Sequence, residues 1–344
     1  MIKFVYIIYV FLVISFCGSA NAQFSRINDE FKNTCVFIMD STGTESNAIG
    51  SGFLIGYKES DKDFIYLVTA KHVLDPNFHP NGIIKNATTP LYLRFNSKNK
   101  FSKTIKITEI IYKEKRFFSH KNPLIDIAVM VLPLSDLSHE LDLRVLGPIE
   151  NNTSENIDFA TKNWLIKHEI GTGDPVFICG LIPELYYLSK NKNIIVTRFG
   201  MLSNLWVNLN YANNPHQTVH ILDCPAFGGN SGGPAFLTTW RDNKGTGLTI
   251  GGERIGGTPT YALLGVVSAF VSSPIKFTEI STNSKKVLTS EELKSQKATI
   301  YLENTNLSRI IPVDYLLEIL NSEEQNNLRD ALIKYDNKKR HNDK

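Results

Sequence analysis

From Cys35 onward the chain is a succession of short apolar runs broken by Gly, Pro, Asn and Asp. That spacing most constrains the fold. Cys35 to Met39, Gly52 to Ile55, Phe64 to Val68, Leu91 to Phe95, Ile105 to Ile111 and Ile127 to Leu132 form one series. Pro175 to Cys179, Ile194 to Phe199, Val219 to Leu222, Ala235 to Thr238, Leu263 to Phe270 and Thr299 to Leu302 form a second. Runs too short for a packed helix and bounded by turn residues predict an all-β sandwich or barrel.

Between the series lies Gly147 to Asn156, which opens with Gly-Pro, is rich in Asn and Glu, and reads as a linker. Only the end is helical in pattern. Pro312 suits a first turn, and Val313, Leu316, Leu317 and Leu320 recur at helical spacing. Leu328, Leu332 and Tyr335 extend the stripe past the polar stretch Glu323 to Asn327. The expected layout is a leader over 1–22, a first β half over 23–155, a second over 156–312, a helix over 313–336 and a polar tail over 337–344.

The first residues predict export. Lys3 precedes an unbroken apolar run from Phe4 to Ile14, and Ala20-Asn21-Ala22 is a small-residue cleavage site. The run is shorter than the roughly 20 residues that span a bilayer, so a cleaved signal peptide is expected rather than an anchor. The mature protein is then secreted or periplasmic and free of the membrane. Cleavage removes Cys17 and leaves Cys35, Cys179 and Cys224, which allow at most one internal disulfide. With 42% apolar and 21% charged residues, stability must come from a packed core. A net charge of +3 makes no case for nucleic acid as a partner.

The segment Gly228-Gly229-Asn230-Ser231-Gly232-Gly233-Pro234 carries the strongest chemical signal. Glycines on both sides let the backbone turn sharply and leave the Ser231 hydroxyl accessible. The N–H groups of Gly229 and Ser231 can converge as an oxyanion hole. Without a Gly-Lys-Ser/Thr ending, this is not a phosphate-binding loop. A serine needs a base to become a nucleophile. His72 directly follows the run Tyr66 to Thr69, and His220, inside an apolar run, is its rival. Asp126 lies within Leu124 to Val131, where a charge is costly to bury without a partner such as an imidazole N–H. No metal-ligand spacing is present and no cofactor is expected.

In the order His72, Asp126, Ser231, these segments resemble the chymotrypsin-fold serine peptidases. The likeness is closest to the bacterial trypsin-like branch that includes the HtrA (Deg) proteases. Gly229 to Pro234 is similar to that branch's active-serine segment, and Thr69-Ala70-Lys71-His72 to the family's histidine segment. Gly50 to Ile55, Gly173 to Gly180, Arg198 to Ser203 and Leu222-Asp223 also resemble family segments. The resemblance implies a double six-stranded β-barrel with a C-terminal α-helix. It also implies a polypeptide substrate cleaved through an acyl-enzyme, with His72, Asp126 and Ser231 as the triad. An α/β-hydrolase esterase would place its serine first in chain order. Asn230 stands where animal trypsins carry an Asp, and Lys71 where they carry a small residue. After Pro312 too little chain follows for a PDZ domain, which needs roughly 50 residues or more.

By the same resemblance, Ser268, Ala269 and Phe270 line the substrate cleft, with Ser268 helping to hold Asp126 and Phe270 at the pocket mouth. Pro225 and Ala226 fall at the pocket floor. Neither is charged, so a small or apolar residue is expected before the scissile bond. The polar insertions Arg241 to Tyr261 and Thr278 to Ser295 read as surface loops flanking that strand.

Overall fold

The computed structural model of the chain describes residues 27, 29–41, 46–74, 90–98, 101–107, 117–132, 140–150, 157–183, 185, 189, 192–211, 214–239, 248–250, 253–255, 260–278 and 298–342. The expected leader and, of the insertion expected over Thr278 to Ser295, residues 279–295 lie outside these residues. After a 3-10 turn at Asp29–Thr34, eight strands build the first sheet. They are β1 (Cys35–Ser41), β2 (Ser46–Glu59), β3 (Lys62–Thr69), β4 (Leu91–Asn96), β5 (Ser102–Lys106), β6 (Phe117–Ser119), β7 (Ala128–Leu132) and β8 (Leu146–Ile149). Their order is β5-β4-β1-β2-β3-β7-β6, with β8 parallel to β2.

The second half holds β9 (Asp158–Phe159), β10 (Pro175–Leu181), β11 (Ile195–Tyr211), β12 (Asn214–Asp223) and β13 (Pro234–Thr239). A small hairpin follows, β14 (Leu248–Ile250) with β15 (Glu253–Ile255), and then β16 (Thr260–Thr278) and β17 (Ala298–Pro312). The order β13-β10-β11-β12-β17-β16 returns on itself through β13–β16 pairing, so six strands close a barrel. Two β units in succession, with helices at the end, give the chymotrypsin-like layout.

Burial explains which runs became strands. All five residues of β7 are buried, because Val129 and Val131 face one core cluster while Met130 and Leu132 face another. A strand covered on both faces reads as a continuous apolar run. The first of those clusters joins Phe53, Val68 and Ile127 of the first unit to Phe177, Phe236 and Leu263 of the second. Leu316, Leu317 and Leu320 of the helix Val313–Leu320 plug the same cluster.

The structure corrects three boundaries. The expected linker begins inside β8, where Leu146 pairs with Ile55 and Ile149 with Tyr57; residues 151–156 lie outside the description. Pro312 caps the helix rather than entering its first turn. The single helix expected over 313–336 is two, Val313–Leu320 and Glu323–Asn342, so the helix also occupies most of the expected tail. The break falls at Asn321 and Ser322, two weak helix formers. The second helix docks through Arg329, which is fully buried. Its guanidinium bonds Glu59, the Tyr66 hydroxyl, the Leu320 carbonyl and Asn326, and lies 4.0 Å from the Tyr57 ring centroid.

Candidate active site

His72 sits in a single helical turn, Lys71–Leu74, that begins one residue after β3 ends. Gly50 makes room for that turn: a Cβ there would lie 2.6 Å from Val73. Asp126 precedes β7, held between buried Ile125 and Ile127, and is itself 1% exposed. Both oxygens of its carboxylate are engaged. Oδ1 accepts the His72 backbone N–H at 3.0 Å, while Oδ2 accepts His72 Nδ1–H at 2.8 Å and the Ser268 hydroxyl at 2.5 Å. Burial pulls the Asp126 carboxyl upward, but the hydrogen bonds and charge of His72 and the Ser268 hydroxyl outweigh it and hold it below its ordinary value. With Nδ1 carrying its proton toward Asp126, neutral His72 keeps its lone pair on Nε2.

Ser268 reaches Asp126 from a β-bulge. On β16, Val267 pairs with Ile310 and Ala269 with Arg309, leaving Ser268 as the extra residue and re-aiming its side chain. Its carbonyl accepts the Ser231 hydroxyl at 3.1 Å. Ser268 therefore touches both Asp126 and Ser231.

The loop bearing Ser231 is pinned from all sides. Buried Asn230 donates from Nδ2 to Leu181 O at 2.7 Å and accepts Phe227 N–H on Oδ1 at 2.9 Å. Gly232 has φ +86°, and a Cβ there would stand 2.0 Å from Ser51 O and 2.1 Å from Thr69 Oγ1. Only glycine allows the loop of the second unit to approach β2 and β3 of the first that closely. The N–H groups of Asn230, Gly232 and Gly233 donate to Phe227 O, Val267 O and Asn230 O. Those of Gly229 and Ser231 have no acceptor among the described residues.

Ser51, in the middle of β2, is the main tie that the sequence left unmarked. Its N–H donates to Ser231 O at 2.8 Å and its hydroxyl to Gly229 O at 2.7 Å, while that hydroxyl accepts Leu181 N–H at 2.8 Å. One small hydroxyl thereby bridges both units under the candidate loop. The signal was a polar residue between glycines in an apolar strand.

The remaining expected site residues fall around this centre. Ala226 is buried, and its carbonyl accepts Asn304 Nδ2 at 2.7 Å; Pro225 and Ala269 are half-buried and Phe270 is exposed. His220, the rival base, is sealed in the second barrel with its ring edge-on to Trp206 at 4.6 Å between centroids. Cys35, Cys179 and Cys224 are buried free thiols. Among the described residues, no group of three or more His, Cys, Asp or Glu is placed to hold a metal, and no helix is long and apolar enough to cross a membrane.

No protein-family model matches the sequence, and neither does any curated protein. Solved structures similar to this chain include the MamO protease domain from Magnetospirillum magneticum, at 11% identity. It matches 84% of this chain and 96% of its own, with a TM-score of 0.40. Deg5 matches at 16% identity over 70% of this chain and 81% of its own, with a TM-score of 0.39. Rv3671c from M. tuberculosis H37Rv, in an inactive form, matches at 11% over 84% and 86%, with a TM-score of 0.38.

Proposed function

We propose that the protein is an exported serine endopeptidase that cleaves polypeptides after removal of a leader over 1–22. The observation that carries this reading is the buried Asp126, bonded to both the backbone and the ring of His72, beside a serine flanked by two unengaged N–H groups. Ser231 Oγ attacks the peptide carbonyl while His72 Nε2 takes its proton. Gly229 and Ser231 N–H groups hold the oxyanion. His72 returns the proton to the leaving amine, and water then hydrolyses the acyl-enzyme by the same route. Asp126 orients His72 and stabilises its charged form, and Ser268 supports Asp126. To begin, the Ser231 hydroxyl turns from Ser268 O toward His72.

That resting hydrogen bond favours a second reading, a catalytically silent fold that binds polypeptides. A fluorophosphonate probe separates the two. Stoichiometric labelling of the mature protein, abolished in Ser231→Ala, supports the peptidase; an unlabelled, folded protein supports the binder.

A further inference from the structure

Pro225 and Ala226 are uncharged, but the strand beside them brings a cation. Arg198 on β11 pairs directly with Ile178 on β10. Opposed residues of an antiparallel pair send their side chains to the same face. Ile178 belongs to the interior cluster of the second barrel together with Cys224 and Ala226, so Arg198 faces that interior. The segment Cys224 to Phe227 runs hard against the same strand. A Cβ on Gly200 would lie 2.1 Å from Asp223 O and 2.5 Å from Cys224 Cβ, and the Cys224 thiol donates to Arg198 O at 3.6 Å. The Arg198 guanidinium carbon lies 4.3 Å from the Phe227 ring centroid, two residues before Gly229 of the candidate oxyanion loop.

Among the described residues, nothing supplies this guanidinium with a counter-ion. Arg198 is half-buried, its Nε is buried without a partner, and no carboxylate among the described residues pairs with it. Stacking on Phe227 offsets only part of the cost of taking the charge from water. The planar fork of an arginine suits an oxyanion held by two parallel N–H bonds, and in an unmodified polypeptide substrate that oxyanion is a side-chain carboxylate.

We propose that Arg198 sets specificity by receiving the carboxylate of a Glu or Asp immediately before the scissile bond. This rests on the peptidase reading and replaces the small or apolar preference, which was drawn from uncharged Pro225 and Ala226 at the floor and Phe270 at the mouth. An acidic side chain brings the anion that none of the described residues supplies to Arg198.

The test uses two readouts on the mature protein. In a peptide library, wild type is expected to cleave after Glu or Asp at least 10-fold faster than after Ala or Val. Arg198→Gln is expected to lose that factor, while its fluorophosphonate labelling rate at Ser231 stays within 2-fold. In the Ser231→Ala background, a blocked peptide ending in Glu is expected to bind at least 10-fold tighter than one ending in Ala. Adding Arg198→Gln should erase the difference, and Arg198→Lys should restore part of it. Equal binding of the two peptides, or equal losses for both in Arg198→Gln, overturns the proposal. Absent labelling and cleavage overturn the peptidase reading instead, and the binding comparison then decides the role of Arg198 by itself.

Discussion

Acid should unfold this protein through one histidine buried in the second barrel. His220 is 0% exposed and burial alone drives its pKa down from 6.5 to about 3. Its Nδ1 accepts Trp206 N–H at 3.3 Å, so Nε2 carries the ring proton, and that atom is buried without a partner. Protonating the ring would put a charge in a dry barrel and break the Trp206 bond. Because the folded pKa lies below the unfolded one, the unfolded chain takes up a proton first as pH falls. The stability owed to neutral His220 is therefore complete above about pH 6.5 and is lost steadily down to about pH 3. At ~1.4 kcal/mol per unit, the loss is about 5 kcal/mol across that window. A domain stable by about 5–15 kcal/mol cannot absorb that without a marked drop in its urea midpoint. The assay is urea unfolding at half-unit steps from pH 7 to pH 4, comparing wild type with His220→Leu. Leucine leaves Trp206 N–H orphaned, a pH-independent offset of about 1–3 kcal/mol. The expected result is a wild-type stability that falls by roughly 1 kcal/mol more per pH unit than the variant's. Parallel curves would refute the reasoning. Asp126 does not blur the comparison: its pKa is held below its ordinary 3.8, so its contribution is lost only at lower pH.

Ser231→Ala and His72→Ala should each abolish peptide cleavage while the protein still folds, with the urea midpoint kept in Ser231→Ala and lowered in His72→Ala by the partner Asp126 loses; the double variant should be little worse than either in kcat/KM. Gly232→Ala should prevent the two units from docking, since left-handed backbone costs a side chain about 1–2 kcal/mol before the contact with Ser51 O is counted; a lowered urea midpoint together with lost labelling of Ser231 is the readout. Arg329→Met removes a buried guanidinium and leaves the Tyr66 hydroxyl and Leu320 carbonyl without it, which should cost about 1–3 kcal/mol in urea unfolding.

His72, Asp126 and Ser231 were legible in the sequence because each breaks a local rule. A hydroxyl between glycine pairs, a carboxylate in an apolar run and a histidine capping a strand all demand an explanation beyond packing. Arg198 breaks no such rule: in a strand that alternates faces it looks like any solvent-facing cation, and only its register against Ile178 turns it inward. The last helix was misjudged for a related reason. Its buried positions include Gln325 and Arg329 as well as the half-buried Leu328 and Leu332, so its inner stripe is partly polar and its length was underestimated. Tyr335, expected to continue that stripe, is 66% exposed. The helix Lys162–Lys167 escaped notice because it is one capped turn and a half, begun by Thr161 accepting Trp164 N–H. A segment so short has no room for a periodic pattern.

The reach of Arg329 back to Glu59 and Tyr66, across 270 and 263 positions, also fixes an order of assembly. A growing chain offers its first strands to solvent long before its last helix exists. The side chains of Tyr57 and Tyr66 wait without their guanidinium partner, and the cluster into which Leu316, Leu317 and Leu320 insert waits without them. Helix and clasp arrive together, over residues 313–342. A chain built only as far as β17 therefore leaves that cluster open between the two units.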